Sequence, residues 1–285
     1  MYSRFDPTDS EPLSGTTDGI ALTVLIPLKD EEDNIPILGA EIREALVGVP
    51  GRWEVLWVDD GSTDGSLAAL RALAAADPRN RYLSFERNYG QSAALLAGFA
   101  EARGAVIATL DADLQNDPAD IPSLLAEMDA RDVSMVNGVR ARRHDGLVRK
   151  VSSRVANGFR NWLTSESVAD VGCSMRVFRR EVVQGLPSFR GMHRFLPTLV
   201  RLRGGTFGEV PVHHRPRLHG RTKYGINNRL WVGLLDSFGV RWLQGRWVEP
   251  KVRLRGGGAE EEATRRNRVL RVPARSMTAP GGGER

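Results

Sequence analysis

The stretch AVIATLDADLQNDP, residues Ala105 to Pro118, combines a predicted buried strand with a pair of acids. Ala105 to Leu110 has the length and apolar, partly β-branched content typical of a strand in a parallel sheet. Asp111 and Asp113 follow one residue apart, and side chains at i and i+2 of a strand end point to the same side. Both carboxylates can therefore converge on one Mg²⁺ or Mn²⁺, because these cations take oxygen ligands. The same two acids could instead lie in a solvated turn and cap a helix. The neighbouring segments of the sequence are therefore needed to choose between a cation site and such a turn.

Strands alternate with helices at short spacing through the first half of the chain. This alternation predicts an α/β fold with a parallel sheet and right-handed crossovers. The loop after each strand is polar, and open α/β sheets bind ligands at the carboxyl ends of their strands. Strands are predicted at Ala21–Pro27, Trp53–Val58, Arg81–Phe85 and Ala105–Leu110, and helices at Ile35–Val47, Leu67–Ala75 and Ser92–Arg103.

Composition and motifs exclude several classes of protein. The chain has 285 residues, 41% of them hydrophobic and 26% charged, as in ordinary globular proteins, and its net charge of +5 favours anionic partners. The sequence contains no nucleic-acid-binding signature. A dinucleotide-binding fold would have a glycine-rich motif after the first strand, but this chain has Leu28 to Glu31 there, so NAD is not expected as a cofactor. The sequence has a single cysteine, which fits a reducing compartment, and it shows no signal-peptide pattern and no run of ~18 apolar residues. These features together predict a cytoplasmic chain.

Four segments at four predicted strand ends carry a resemblance to a known family. They are PLKDEEDN from Pro27, VDDGSTDGS from Val58, RNYGQSAALLAGF from Arg87 and DADLQNDP from Asp111. This set resembles the family 2 glycosyltransferases, and within them the dolichol- and polyprenyl-phosphate hexosyltransferases of the dolichyl-phosphate mannose synthase group. The resemblance implies a GT-A nucleotide-diphospho-sugar transferase fold, with a mostly parallel central sheet flanked by helices and a C-terminal amphipathic helix.

The resemblance also assigns the donor site. The family usually has Asn-Glu-Glu where this chain has Asp30-Glu31-Glu32. A Mg²⁺ or Mn²⁺ ion is expected at Asp111, Asp113 and Gln115. The nucleotide sugar is expected at Pro27, Lys29, Glu31, Asp59, Asp60, Asp111, Ala112, Asp113 and Gln115, with Arg217, Arg221 and Lys223 of a later glycine-rich basic loop as phosphate contacts.

A basic cluster in the second half is expected to hold the acceptor. Clusters of basic residues usually lie on solvated surface. Beside a diphosphate site, however, such a cluster could bind a second phosphate group, because the guanidinium group of arginine can donate two hydrogen bonds to phosphate oxygens. The resemblance places the phosphate of a polyprenyl or dolichyl acceptor at Arg140, Arg149 and Ser153, with Arg142 as the alternative to Arg140. Asp111, Asp113 and Arg149 are the expected catalytic residues.

Asp170 has two possible roles, because an acid near this position deprotonates a hydroxyl acceptor in many inverting glycosyltransferases. A phosphate acceptor is already anionic at neutral pH, and Asp170 would then be a structural or positioning residue. Cys173, three residues on, is expected to pack as a small hydrophobic side chain.

The amphipathic helix Asn227–Trp247 has aromatic residues and basic neighbours, so it either lies at a membrane interface or covers the core. The expected organisation is a leader over residues 1–19, a transferase domain over 20–226, this helix within 227–248 and a disordered tail over 249–285.

The implied activity is inverting transfer of a mannose- or glucose-like hexose from a GDP- or UDP-sugar to a polyprenyl phosphate. It would take place on a chain bound peripherally to the cytoplasmic face of the membrane. Two alternatives are a family 2 transferase that acts on a saccharide or other hydroxyl, and a catalytically silent nucleotide-sugar-binding partner of a membrane complex.

Overall fold

The computed structural model describes residues 19–140, 158–216 and 226–248, which form one seven-stranded sheet with helices packed against it. The strands are β1 (Ile20–Leu28), β2 (Arg52–Asp59), β3 (Asn80–Ser84), β4 (Val106–Thr109), β5 (Met135–Arg140), β6 (Arg176–Arg179) and β7 (Phe207–Val212). The helices are α1 (Asn34–Ala45), α2 (Ser66–Ala76), α3 (Gln91–Glu101), α4 (Ile121–Arg131), α5 (residues 158–164), α6 (Arg180–Val183), α7 (Leu196–Leu202) and α8 (Ile226–Arg246).

The sheet has the strand order β3-β2-β1-β4-β6-β5-β7. Strands β3, β2, β1 and β4 run parallel to one another, and β5 runs parallel to β7. Strand β6 lies between β4 and β5 and is antiparallel to both. The mostly parallel sheet predicted from the alternation of strands and helices is therefore confirmed. The carboxyl ends of β1, β2 and β4 lie at one edge of the sheet.

The sheet is buried on both faces. Along β1, Val24 and Ile26 belong to one apolar cluster and Leu25 belongs to another, because successive side chains point to opposite faces. Trp57 of β2 packs in the first cluster, and Phe99 of α3 packs in the second. This double burial explains why the central strands have almost continuous apolar sequences.

Gly104 permits the close approach of β4 to β1. Its N–H donates to Thr23 Oγ1 at 2.8 Å in the interior. A Cβ atom at Gly104 would lie 2.4 Å from the backbone nitrogen of Thr23 and 2.6 Å from the carbonyl carbon of Leu22. The turn before β4 therefore has no room for a side chain.

Helix α8 has two distinct faces over its second half. Ser237 and Val240 are buried against the domain, whereas Leu235, Phe238 and Trp242 are exposed. This arrangement agrees with the amphipathic helix expected from the sequence. Of the described helices, none is both long and apolar enough to cross a membrane. The predicted domain limits stay predictions, and the predicted leader and tail fall almost entirely outside the described residues.

Candidate active site

The loops that follow β1 and β2 are joined at the carboxyl edge of the sheet. Lys29 Nζ donates to the carbonyl oxygen of Gly61 at 3.0 Å, and the Asp30 N–H donates to Ser62 Oγ at 2.8 Å. Asp30 Oδ1 in turn accepts the N–H of Thr63 at 2.7 Å. The two loops expected to hold the nucleotide therefore form one connected surface.

Glu31 and Pro27 belong to the same surface. The Glu31 N–H donates to Ser66 Oγ at 2.9 Å, and its carboxylate accepts the Asn34 side-chain N–H at 2.6 Å. Pro27 is buried within β1 and pairs in register with Val58 of β2. The structure thus places Pro27, Lys29 and Glu31, which the resemblance assigns to the nucleotide, at one edge of the sheet.

The adjacent acids Asp59 and Asp60 are both buried and bind different partners. Asp59 accepts the N–H of Ser62 at 2.9 Å and the hydroxyl of Ser84 at 2.8 Å. Asp60 accepts the backbone N–H of Tyr89 at 2.7 Å and that of Gly90 at 2.9 Å. Asp60 therefore fixes the start of α3, in addition to any contact with a nucleotide.

Asp111 is held by its backbone and by its side chain just beyond β4. Its N–H donates to Asn116 Oδ1 at 3.2 Å, and its Oδ1 accepts the Gln91 side-chain N–H at 3.0 Å. The Asn116 side-chain oxygen thus orders the acid loop, and it also accepts the Ser174 hydroxyl at 2.8 Å.

The second acid, Asp113, sits in a strained turn together with its buried neighbour Ala112. Asp113 Oδ1 accepts the Gln115 N–H at 3.2 Å, and the intervening Leu114 has a φ of 60°. A bulky residue in the left-handed region is a true outlier, and such strain persists only where the surroundings impose it. Leu114 is buried in the core, which supplies that constraint.

Arg215 joins the acid loop to the segment after β7. Its N–H donates to the carbonyl oxygen of Gln115 at 2.8 Å, and its guanidinium pairs with Glu41 at 2.9 Å and Asp117 at 2.7 Å. Nearby, Asp120 accepts a hydrogen bond from the His213 ring at 2.8 Å, and this bond raises the pKa of His213. The entrance to the predicted basic loop is therefore anchored beside the acids.

The side-chain oxygens of Asp111, Asp113 and Gln115 suit a hard divalent cation that is bound jointly by the protein and by a substrate. Among the residues that the structure describes, no three His, Cys, Asp or Glu side chains form a metal-binding group. Mg²⁺, however, is usually bound through one or two carboxylates together with substrate phosphates. Asp111 and Asp113 supply such carboxylates. The amide nitrogen of Gln115 points to the Arg215 carbonyl at 3.4 Å, so its side-chain oxygen is the atom suited to a cation.

Arg140 and Asp170 form a two-pronged ion pair at the end of β5. Arg140 Nε and Nη2 donate to the two carboxylate oxygens of Asp170 at 2.7 and 2.9 Å. Both side chains are largely buried. Both oxygens of the Asp170 carboxylate are engaged in this pair, which favours a positioning role for Asp170 over the role of a general base. The pair uses two of the five N–H donors of Arg140, so Arg140 could still contact a phosphate.

Two further arginines that the sequence did not single out, the buried Arg176 and the partly buried Arg160, interact with the charge of Asp170. Arg176 of β6 donates to Asn137 Oδ1 at 2.9 Å, to the carbonyl of His193 at 2.9 Å and to the carbonyl of Val171 at 2.7 Å. Burial lowers the pKa of Arg160 to about 10, and the charge of Arg176 contributes to this shift. Arg176 also interacts with the charge of Asp111, so it connects the surroundings of Asp170 with those of the acid loop.

Several expected site residues fall outside the described part of the chain. They are Arg149, Ser153, Arg217, Arg221 and Lys223, together with the alternative Arg142. Cys173 is described and is buried in the core, where burial raises the pKa of its thiol to about 11. A thiol in that environment is inert, in agreement with the expected packing role.

Gln91 and Arg176 are the main site residues that sequence reasoning missed. Gln91 lies in the segment RNYGQS after β3. Its position at the start of a helix, on the carboxyl edge of the sheet, was the feature of the sequence that could have indicated a role in the site. Arg176 opens a four-residue strand, and only its apolar neighbours could have shown that it would be buried. The Gln91 contact spans 20 residues, and two of the three Arg176 contacts span 39 and 17 residues.

Comparisons with known proteins agree with this geometry. The family model described as Glycosyl transferase family 2 matches residues 23–186. The chain is 38% identical over 240 residues to the dodecaprenyl-phosphate galacturonate synthase of Rhizobium johnstonii, which covers 82% of this chain and 71% of that protein. It is 39% identical over 207 residues to the undecaprenyl-phosphate 4-deoxy-4-formamido-L-arabinose transferase of Pectobacterium carotovorum, which covers 72% of this chain and 63% of that relative.

Solved structures show the same fold at lower identity. Glucosyl-3-phosphoglycerate synthase from Mycobacterium tuberculosis, in complex with phosphoglyceric acid, matches with a TM-score of 0.60 and 20% identity, over 83% of this chain and 84% of that one. A mannosyltransferase from Pyrobaculum calidifontis, in complex with GDP-Man and Mn²⁺, matches with a TM-score of 0.56 and 20% identity, over 81% and 65% of the two chains. The chain therefore belongs to glycosyl transferase family 2 and has the GT-A fold.

Proposed function

We propose that this protein transfers a hexose from a nucleoside diphosphate sugar to a polyprenyl phosphate, with inversion at the anomeric carbon. The observation behind the proposal is that Asp111 and Asp113, after β4, lie at the same carboxyl edge of the parallel strands as the joined loops after β1 and β2. The start of α3 links the two parts, because Gln91 contacts Asp111 and Asp60 accepts the N–H of Gly90. Both relatives described above are, by their names, polyprenyl-phosphate sugar transferases or synthases. The family membership supports transfer, and these relatives support the lipid phosphate as acceptor.

On the donor side, the loops after β1 and β2 would hold the nucleoside, and the loop after β4 would hold the diphosphate. Asp111, Asp113 and Gln115 are the residues that would bind Mg²⁺ or Mn²⁺. A bound cation would offset the charge of the diphosphate and stabilise the departing nucleoside diphosphate. Asp59 and Asp60 keep the surrounding backbone in place through their hydrogen bonds to the loop after β2 and to the start of α3.

On the acceptor side, the lipid phosphate oxygen would attack the anomeric carbon in line with the leaving diphosphate. A phosphate oxygen is anionic at neutral pH and needs no general base. Asp170 is accordingly proposed as a positioning residue, because its carboxylate holds Arg140 through two hydrogen bonds. Arg140, Arg149 and Ser153 are proposed to bind the lipid phosphate, and Arg217, Arg221 and Lys223 the donor phosphates.

The alternative of a hydroxyl acceptor would require Asp170 as the base that removes a proton. In the structure both carboxylate oxygens of Asp170 accept hydrogen bonds from the Arg140 guanidinium. No described contact favours that alternative. A mannose- or glucose-like hexose on GDP or UDP stays the proposed donor, and the names of the relatives extend the donors worth testing to uronic acids and amino sugars.

The exposed apolar surface near the C-terminal end of the described residues is proposed to rest on the membrane. It comprises Trp162 of α5 and Leu235, Phe238 and Trp242 of α8, which are 75, 71, 55 and 65% exposed. The rings of Phe159 and Phe238 lie 6.2 Å apart, and those of Phe159 and Trp162 lie 5.9 Å apart, so the surface is continuous. Aromatic side chains flanked by Arg241 and Arg246 suit the cytoplasmic face of an anionic membrane.

Replacement of Trp162 and Trp242 by serine should weaken binding of the full chain to vesicles that contain phosphatidylglycerol. The expected loss is about tenfold or more, because each tryptophan can bury a large apolar area in the interface. Cosedimentation with vesicles measures it. Tyr82→Ser removes an exposed aromatic ring from β3, an outer strand of the sheet that is not part of this surface, and should leave binding unchanged. Equal binding by the double variant and the wild type would contradict a role for this surface.

Transfer of label from a panel of nucleotide sugars into polyprenyl phosphate tests the proposed reaction itself. Label in the organic phase is the expected result. Slow donor hydrolysis without labelled lipid would show that the acceptor is not a polyprenyl phosphate.

A further inference from the structure

The Asp111 carboxylate has a specific side-chain partner outside the acid loop. Gln91 Nε2 donates to Asp111 Oδ1 at 3.0 Å, and the two residues are 20 positions apart in the chain. Gln91 is the first residue of α3, whereas Asp111 follows β4. The contact therefore joins a helix start to the loop that carries both acids.

The start of α3 is held from two sides, which keeps Gln91 in place although it is exposed to solvent. On one side Asp60 accepts the N–H groups of the two preceding residues. On the other side Ser92 Oγ accepts the N–H of Gly191 at 3.0 Å and lies 2.9 Å from the Nδ1 atom of His193. His193 is fixed in turn, because its carbonyl accepts a hydrogen bond from the buried Arg176.

A hydrogen bond to one oxygen of a carboxylate sets the rotation of that group about its Cβ–Cγ bond. This rotation decides where the lone pairs of both oxygens point. Carboxylates that bind metal ions are commonly oriented by such outer partners, whose loss lowers metal affinity about 10- to 100-fold. Asn116 holds the Asp111 backbone, and the Gln91 contact acts on the side-chain carboxylate itself.

We propose that Gln91 is a positioning residue that orients Asp111 for the divalent cation and the donor diphosphate. This inference rests on the proposed function. Gln91 acts through Asp111, so its loss should weaken binding of the cation in the presence of nucleoside diphosphate. It should not change the apparent affinity for the lipid acceptor.

The experiment compares Mn²⁺ binding by the full-length wild type and by the Gln91→Met and Gln91→Ala variants, each with UDP or GDP added. Electron paramagnetic resonance of free Mn²⁺ gives the affinity without any turnover. Methionine keeps the length of glutamine and lacks the N–H donor. Gln244→Met is the matched control, because Gln244 Nε2 also donates across elements, to the Thr164 carbonyl at 2.9 Å, away from the acids.

Both Gln91 variants should bind Mn²⁺ about 10- to 100-fold more weakly than the wild type, while Gln244→Met binds it normally. Thermal unfolding of each variant checks that the fold is intact. A Gln91→Met variant that binds Mn²⁺ as tightly as the wild type would overturn the inference and leave the proposed function standing. A wild type that binds no Mn²⁺ with either nucleotide would overturn the metal assignment and this inference with it.

Discussion

Replacing Asp113 by asparagine should reduce sugar transfer by about a thousandfold, because the site would lose half of its carboxylate charge toward the cation and diphosphate. Asparagine has the shape of aspartate, and its side-chain oxygen can still accept the N–H of Gln115, as Asp113 does at 3.2 Å. The strained turn at Leu114 should therefore survive. Initial rates with the best nucleotide sugar, together with a thermal unfolding curve, measure the effect.

Asp77→Asn serves as the control for this substitution. Asp77 lies between α2 and β3, at the amino end of the strands, and pairs with Arg79 at 2.6 Å. Its replacement should leave transfer unchanged, since none of the proposed site residues that the structure describes lies at that edge of the sheet. Normal turnover by the Asp113→Asn variant would refute the assignment of the acid pair to the reaction.

Replacing Gly104 by alanine should lower the free energy of unfolding by about 3 kcal/mol, at the upper end of the usual cost of overpacking. The added methyl group would lie within 2.4 to 2.8 Å of backbone atoms of Thr23, Leu22 and Val106. Backbone in the centre of a sheet cannot move aside as a flexible side chain can. Relief of the clash must instead separate β4 from β1, and β4 leads directly into the acids. Urea unfolding followed by circular dichroism measures the loss.

Gly239→Ala is the control for Gly104→Ala, because it adds the same methyl group at a position where there is room for it. Gly239 lies within α8, and apart from the adjoining backbone of its own helix and its chain neighbours no heavy atom lies within 4 Å of the position its Cβ would take. Alanine should raise the free energy of unfolding there by up to about 1 kcal/mol, because glycine is a poor helix former. Equal stability of the two variants would contradict the close approach of β4 to β1.

Much of the fold follows from local sequence patterns. The apolar runs that became β1, β2 and β4 are buried on both faces, and this burial produces the continuous pattern from which they were predicted. The acids that close these runs lie at one edge because parallel strands end there together. The position of the acid pair Asp111 and Asp113 could be predicted for that reason.

The contacts that organise the site could not be predicted in the same way. Gln91 meets Asp111 across 20 residues, and Arg140 meets Asp170 across 30 residues. Strand β6 inserts antiparallel between β4 and β5, although its four residues carry no local signal of direction. Such contacts depend on how the elements pack, and periodicity along the chain does not record that packing.

The measurement that tests the proposed function most directly is sugar transfer by the full chain to polyprenyl phosphate. The chain is incubated with Mg²⁺ or Mn²⁺ and with labelled GDP- and UDP-hexoses, uronic acids and amino sugars in turn, and label in the organic phase is counted. One donor should label the lipid, the Asp113→Asn variant should not transfer that sugar, and the Asp77→Asn variant should. Donor hydrolysis without labelled lipid, or lipid labelling that survives the loss of the Asp113 carboxylate, would contradict the proposed function.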